Sequence, residues 1–274
     1  MNHEKACPVL DKIFRLYSFL FARRALYRFN RLLYNLSVRG MGILNYHNDR
    51  DSGERRFLRD FLAERKAPVV LDVGANVGDY AANVMTVVPT ATLFAFEPHP
   101  KTFQKLKLAS ERYGFKAFNL GCGDEDTKLN LYDYADNDGS VHASMYRDVI
   151  ETVHGGRSVS HRVDVVKLDK FVECLGLKQI DLLKIDTEGN EMAVLKGFKN
   201  FINMRKIKAI HFEFNEMNVV SRVFLKDFYE LLPDYEFYRA LRDGLVPLKT
   251  YSPLTWEIFA FQNIVAVLRA SNET

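Results

Sequence analysis

The segment Asp72-Val73-Gly74-Ala75-Asn76-Val77-Gly78 follows the apolar run Val69-Val70-Leu71 and precedes a stretch with helical spacing. Glycines there let the backbone turn tightly and let a ligand approach it, while the helix that follows offers free N–H groups to an electronegative group. Nineteen residues after Gly78, Glu97 ends a second apolar run. A carboxylate at that place can accept hydrogen bonds from both hydroxyls of a ribose. The turn has no Gly-Lys-Ser/Thr to cradle phosphates, and Asn76 stands where a pyrophosphate would need a second glycine. The pair therefore reads as a site for an adenosine cofactor without phosphates. S-adenosylmethionine fits, with its ribose on Glu97 and its amino-acid end on the glycine turn. The plain structural alternative is a tight turn beside a surface glutamate.

Two later apolar runs also end in acids. Asp186-Thr187-Glu188-Gly189-Asn190-Glu191 follows one, and His211-Phe212-Glu213-Phe214-Asn215 ends the other. Ligands of open α/β sheets bind beyond the carboxyl ends of the strands, so Asp186 and Glu213 belong beside the methyl donor. Methyl transfer is an in-line displacement that depends on alignment, and an alcohol acceptor must also lose a proton to a nearby base. Asp186 and Glu213 are the first candidates for that base, and His142 is the third. Glu188 and Glu191, three apart, share a face once a helix begins, or simply favour its positive end. Glu213 could equally be a hydrogen-bonding partner that orders a loop. Asp186 and Glu213 could share a magnesium ion, but no His/Cys spacing forms a dedicated cluster, and no metal is expected.

The elements that must position these residues alternate. "APVVLDVGAN", "ATLFAFEPHP" and "FKAFNLGCGD" read as three strands, separated by helices over "VGDYAANVMTVV" and "KTFQKLKLASERYG", the latter stopped by Gly114. "QIDLLKID", "IKAIHFEFN" and "NIVAVL" are further strands, and Asp243-Gly244 between apolar flanks signals a β-hairpin. The alternation marks an α/β protein with a parallel sheet covered by helices. "GERRFLRDFLAERK" reads as a helix capped by Ser52. Between positions 126 and 168, "TKLNLYDY" and "SHRVDVVKL" read as strands around a long polar loop with some helix. Loops of that length often bind substrate or act as lids. Asn137, Asp138, Ser140, His142 and Ser144 in and beside it suit an acceptor with many hydroxyls.

Residues 10–39 contain neither proline nor glycine and read as one helix, with Lys12, Arg15, Arg23, Arg24, Arg28, Arg31 and Arg39 against the single acid Asp11. Packing on the domain or a second subunit, with the arginines in water, is the expectation; lying on an anionic membrane surface is the alternative. The run "LYSFLFA" is far short of the roughly 18 residues of a membrane span, and Arg23 and Arg24 follow it where a signal peptide would have small residues.

At 274 residues, 47% of them apolar, the chain can bury a large α/β core. A net charge of +3 does not argue for nucleic acid, and Cys7, Cys122 and Cys174 are too dispersed for a disulfide framework. A reducing cytoplasm is the expected compartment. Nucleic-acid methylation is further disfavoured, because "DTEGNE" stands where an Asn/Asp-Pro-Pro-Tyr segment would sit.

Taken together, "LDVGANVGDYA", "FAFEPHP", "LLKIDTEGNEMAVLKG" and "IHFEFN" resemble the FkbM family of S-adenosylmethionine-dependent methyltransferases over roughly residues 40–268. The resemblance implies a Rossmann-like class I methyltransferase: a mostly parallel seven-stranded sheet with an antiparallel last strand. Here it would occupy residues 51–274, with a helical extension and connection over residues 1–50. It also implies that Gly74, Ala75, Asn76 and Gly78 line the methionine end and Glu97 holds the ribose. Asp124 would meet the adenine amino group or be a solvated turn residue in "GDED", and Asp72 would lie near the cofactor amine or brace the turn. Several members methylate hydroxyls of sugars or polyketides, which makes O-methylation of a saccharide hydroxyl the leading expectation. A nitrogen nucleophile, a small natural product or a non-catalytic binding role are the alternatives. The acceptor would be a small molecule or glycan, with peripheral membrane contact and oligomer formation left open.

Overall fold

The computed structural model describes residues 8–140 and 142–270. Strands β1 (Val69–Val73), β2 (Thr92–Phe96), β3 (Lys116–Phe118), β7 (Ile180–Ile185), β8 (Ile207–Phe214), β9 (Tyr235–Leu241), β10 (Gly244–Pro247) and β11 (Gln262–Leu268) form one sheet. Its order is β3-β2-β1-β7-β8-β11-β9-β10. Pairings from β3 through β8 are parallel, and β11 runs antiparallel to both β8 and β9. This is the class I methyltransferase sheet expected from the sequence, with an eighth strand, β10, added by the hairpin at Asp243-Gly244.

The two-residue period of each strand divides the core. Leu71, Val73, Phe94, Phe96, Ile185 and Phe212 point to one face, where they pack against the helices Leu168–Cys174 and Glu191–Lys196. Val70, Leu93, Ala95, Leu182 and Ala209 point to the other. That second face is covered by α3 (Glu54–Leu62) and α4 (Asp79–Val87) through Phe57, Leu58, Leu62, Ala81 and Val84. Burying a side chain such as Leu58, which is fully buried, stabilises the fold by about 1.5–3 kcal/mol. The same alternation has a second result. Asp72, Lys184 and His211 lie directly opposite one another on β1, β7 and β8, so all three charges or rings point into the α3/α4 side.

Several expectations need correction. The run read as a third strand is two strands: β3 joins the main sheet, whereas β4 (Gly121–Cys122) leaves it. With β6 (Ser158–Val166) and β5 (Thr127–Tyr134), β4 forms a separate three-stranded sheet. The bend falls at Asn119, whose side-chain N–H groups donate to the carbonyls of Glu97 and Pro98 at 2.8 and 3.0 Å. Gly53, in a left-handed conformation (φ 81°), occupies the cap position of α3, and Ser52 contributes from one residue further out, its hydroxyl accepting the Glu54 N–H at 3.5 Å.

The amino-terminal stretch is also broken. It forms α1 (Pro8–Phe21) and α2 (Tyr27–Gly40), separated by an extended Arg23 and a short 3₁₀ turn. The Asn30 side chain donates to the Phe21 carbonyl (2.9 Å), taking up a backbone acceptor freed by the break. No residue of α1 is buried, and Val38 is the only buried residue of α2. The expected packing of this segment on the domain is therefore limited to its last turn. Among the described residues no helix is long and apolar enough to cross a membrane.

Gly74 (φ 78°) sits where β1 passes the end of β7, and a Cβ there would fall within the van der Waals radius of the Asp186 carbonyl oxygen. Substitution to alanine combines a backbone clash with a disfavoured positive φ. Gly74→Ala is expected to lose at least about 3 kcal/mol of stability. A urea-unfolding midpoint within error of the native protein would contradict this account of the turn.

Candidate active site

A single cavity of about 700 Å³ opens at the carboxyl ends of β1, β2, β7 and β8, within the size range of small-molecule sites. It is lined by Asp72, Gly74, Ala75, Asn76 and Glu97 on one side and by Asp186, Glu188, Asn190, Glu213 and His142 on the other. All three proposed bases and most of the proposed cofactor residues thus share one space. Two do not line it. Gly78 caps α4, and its Cα faces Leu106 and Ala109 of α5 (Pro100–Tyr113), so it serves helix packing. Asp124 is exposed beyond the kink after β4, and Leu120, Gly121 and Cys122 line the wall in its place.

In the cofactor half, both Glu97 oxygens are held by the backbone. Oε2 accepts from the Asn76 N–H (3.0 Å) and Oε1 from the His99 N–H (2.7 Å). Asn76 reaches this position with a left-handed φ of 49°, a conformation asparagine tolerates better than most residues. Burial pushes the Glu97 carboxyl up to about 7, outweighing those two hydrogen bonds. Burial also raises Asp72 to about 7, against the attraction of Lys184. Asp72 Oδ2 is buried without a hydrogen-bond partner. A buried acceptor left open beside a cavity fits a ligand that brings a donor, and the amine and ribose of S-adenosylmethionine supply donors for Asp72 and Glu97.

In the acceptor half, Lys184 is the feature that strand reading passed over. Its ammonium lies 3.3 Å from Asp186 Oδ2 and 4.0 Å from Glu213 Oε1, and it is 3% exposed. Burial alone would lower its pKa, but Asp186, Glu213, Glu54 and Asp72 together raise it above the usual lysine range. Burial and the neighbouring Asp186 push Glu213 well above the ordinary carboxylate range, against the attraction of Lys184. Glu54, the first residue of α3, is raised to about 7, chiefly by burial. His211 lies beneath this group, 3.3 Å from the Tyr80 hydroxyl, and burial keeps it neutral. A charge inside the otherwise apolar "DLLKI" was the available signal for Lys184. Glu54 had none, because a glutamate in a first helical turn is common.

The turn after β7 separates Glu188 from Glu191. Glu191 is buried and accepts from the Thr187 N–H and hydroxyl and the Gly189 N–H (2.9–3.1 Å), so it braces the turn. Glu188 (φ 51°) faces the cavity, 3.3 Å from His142 Nδ1. His142 stacks on His154 at 4.7 Å, which also lines the wall.

Much of the polar loop is spent internally. Ser144 donates to the Glu188 carbonyl (2.7 Å), and Ser140 donates to Asp133 (2.6 Å). Asp138 accepts from His99 Nε2 (2.8 Å) and His161 Nε2 (2.7 Å), with Lys101 also beside it. Of the five residues singled out as suited to an acceptor, Ser140 and His142 line the cavity. His99, Asp138 and His161 lie close enough together to ligate a metal. However, His99 Nδ1 accepts the N–H groups of Lys101 and Thr102 at the start of α5. Its Nε2 therefore carries the proton given to Asp138 and has no lone pair for an ion.

A cavity lined by acids at the carboxyl edge of this mostly parallel sheet is the arrangement expected of a class I methyltransferase. Residues 72–238 match the methyltransferase FkbM domain, and the chain belongs to that family of S-adenosylmethionine-dependent methyltransferases. It is 30% identical over 204 residues to the 2-O-methyltransferase NoeI of Sinorhizobium fredii, covering 67% of this chain and 79% of that protein. It is 32% identical over 142 residues to Methyltransferase 1 of Beauveria bassiana, covering 47% of this chain and 57% of that protein. The hexuronic acid methyltransferase AglP of Haloferax volcanii is 30% identical over 153 residues, 54% of this chain and 57% of that protein. The match thus spans little more than half the length of two of these relatives.

Two outcomes follow from the site's electrostatics. Lys184→Met removes the cation among buried carboxylates and is expected to cost about 3 kcal/mol at pH 8. The loss should shrink at pH 5, where Glu54 and Asp72 are protonated in both proteins; thermal unfolding at the two pH values measures it. Because the folded pKa values of Asp72, Glu54 and Glu97 are raised to about 7, their contribution to stability is full below about pH 4 and is lost as pH rises through 7. Cofactor binding runs the other way. A ribose needs ionised Glu97, so affinity for S-adenosylhomocysteine should rise roughly tenfold between pH 6 and 8 for each carboxylate that must ionise. Calorimetry showing the same slope for Glu97→Gln would exclude Glu97 as one of them.

Proposed function

We propose that the protein transfers a methyl group from S-adenosylmethionine to a hydroxyl of a saccharide, with Asp186 as the base. The observation that carries this reading is the continuity of the cavity: the Asp72/Glu97 half opens directly onto a wall of Asp186, Glu188, Asn190, Glu213 and His142. Glu97, Asp72 and the turn Gly74-Ala75-Asn76 would hold the cofactor, which supplies a methyl group on a sulfonium. The chain's own residues have the remaining tasks: aligning the acceptor oxygen, excluding water and taking its proton.

The roles divide by protonation. Glu213, whose affinity for a proton is raised by burial and by Asp186, lines the same wall and is suited to hydrogen-bond the acceptor. Asp186 has Lys184 3.3 Å from one oxygen and a third of its side chain open to the cavity. That geometry leaves an oxygen able to accept a hydroxyl proton. His142, 40% exposed and tethered to Glu188, is placed to contact an acceptor and is the second candidate base. Saccharides are favoured because the acceptor wall offers donors and acceptors in alternation, and because two relatives bear the names of a 2-O-methyltransferase and a hexuronic acid methyltransferase.

Asp186→Asn keeps the shape of the wall and removes the base. Methyl transfer to a panel of nucleotide sugars and glycan fragments should fall by roughly 10²–10⁴ in kcat. Affinity for S-adenosylhomocysteine should change by less than about threefold. If Asp186→Asn turns over normally and His142→Ala does not, the base is His142. Transfer only to amine or amide acceptors would replace the hydroxyl reading.

A further inference from the structure

The least explained surface of the molecule is its amino-terminal helix pair. On α1, Val9, Ile13, Phe14, Leu16, Tyr17 and Leu20 recur at helical spacing along one side, and each is between 41% and 63% exposed. The opposite side holds Asp11, Lys12, Arg15 and Ser18. On α2, Phe29, Leu32, Leu33 and Leu36 make a second apolar stripe, 39–58% exposed, flanked by Arg28, Arg31 and Arg39. The helices touch through the Tyr17 hydroxyl on Asn30 (2.6 Å) and through Phe21 and Phe29, which uses one edge residue of each stripe and leaves the rest exposed. Elsewhere, exposed large apolar side chains such as Leu108, Leu129, Met204 and Leu254 are scattered singly along the chain, an ordinary feature of surfaces.

Charge selects the occupant. From Pro8 to Gly40 there are seven bases and one acid, while the whole chain carries a formal charge of only +3. Positive charge is thus concentrated beside the apolar stripes, and the remainder of the chain is net acidic. Two copies meeting through these helices would set one basic cluster against another. An anionic bilayer surface offers apolar depth for the stripes and negative headgroups for the bases. With 14 residues, α1 is about 21 Å long, too short to span the hydrocarbon core but long enough to lie in the interface.

We infer that α1 and α2 dock the protein reversibly on an anionic lipid surface through these stripes. The chain then reaches the cavity rim within a few residues of α2. Leu44 donates its N–H to the Phe261 carbonyl (2.8 Å), and Leu44, Tyr46 and Phe261 line the cavity. The docking helices are therefore joined to the rim by a short tether anchored to the domain.

The test uses the full chain and extruded vesicles of phosphatidylcholine, alone or mixed with phosphatidylglycerol. Sedimentation is expected with the mixed vesicles, weakening as salt is raised, and at least tenfold weaker with phosphatidylcholine alone. Phe14→Glu/Leu33→Glu and Arg28→Glu/Arg31→Glu should each lower the partition constant at least tenfold. Each basic residue near the surface contributes about fivefold. Calorimetry with S-adenosylhomocysteine checks folding, and neither double variant should alter it. No sedimentation with mixed vesicles would overturn the inference, as would equal binding by the native protein and both variants. A concentration-dependent dimer that leaves vesicles in solution would also overturn it and assign the stripes to a second copy.

Discussion

The site depends on one buried cation. Lys184 lies at the register position shared with Asp72 on one neighbouring strand and His211 on the other, so the sheet itself fixes its place. Around it are Asp186, Glu213, Glu54 and Asp72, each reaching the same region from a different element. Without a positive charge, carboxylates so close together could not remain ionised together; several would take up protons. With it, the group divides into acids of different character. Asp186 sits beside the ammonium, Glu213 is pushed well above the ordinary carboxylate range, and Asp72 and Glu54 are raised to about 7. One cavity therefore holds acids of unequal proton affinity, an arrangement that identical surface acids would not give.

The second constraint is the small sheet. By leaving the main sheet at Asn119, the chain carries β4, β5 and β6 to the side of the cavity and suspends the polar loop over its acceptor half. The loop is fixed at both edges. Asp133 accepts the N–H groups of Gly139 and Ser140, and Asp138 is gripped by His99, His161 and Lys101. Those three donors hold the Asp138 carboxyl far below its ordinary range despite its desolvation. His99 follows Glu97 by two residues, so the contact that anchors the loop begins beside the contact expected to hold the ribose. The Glu97 side of the cavity and the polar loop are thereby tied together through a few residues after β2.

Most of the sheet was legible because its signals are local. Apolar runs ending in glycine or proline mark β1 and β2, Gly114 closes α5, and Asp243-Gly244 marks the hairpin. Asp72, Glu97, Asp186 and Glu213 were legible for a related reason: an acid at the end of a parallel strand has only the cavity to face. What escaped depended on contacts distant in sequence. Whether Phe115 to Asp124 forms one strand or two is decided by Asn119 binding the turn after β2, which no local pattern reveals. Gly78, placed at the methionine end by resemblance, packs against α5, and Glu191, expected to share a helix face with Glu188, instead braces the turn at Thr187. The break between α1 and α2 contains neither proline nor glycine, and so carries no residue-type signal.

The glycine turn shows how sequence and structure can agree on a residue for different reasons. Gly74 is the close-approach position of a nucleotide turn, but the backbone that comes closest is that of Asp186. The same crossing is stitched by the Asp186 N–H donating to the Val73 carbonyl (2.9 Å). The end of β1 therefore sets the position of the candidate base directly, through main chain and without an intervening side chain. The turn after β1 and the proposed base Asp186 are placed by one strand contact. A change in this turn is thus expected to move Asp186 together with the Asp72/Glu97 side of the cavity, because the main chain of the two strand ends meets there.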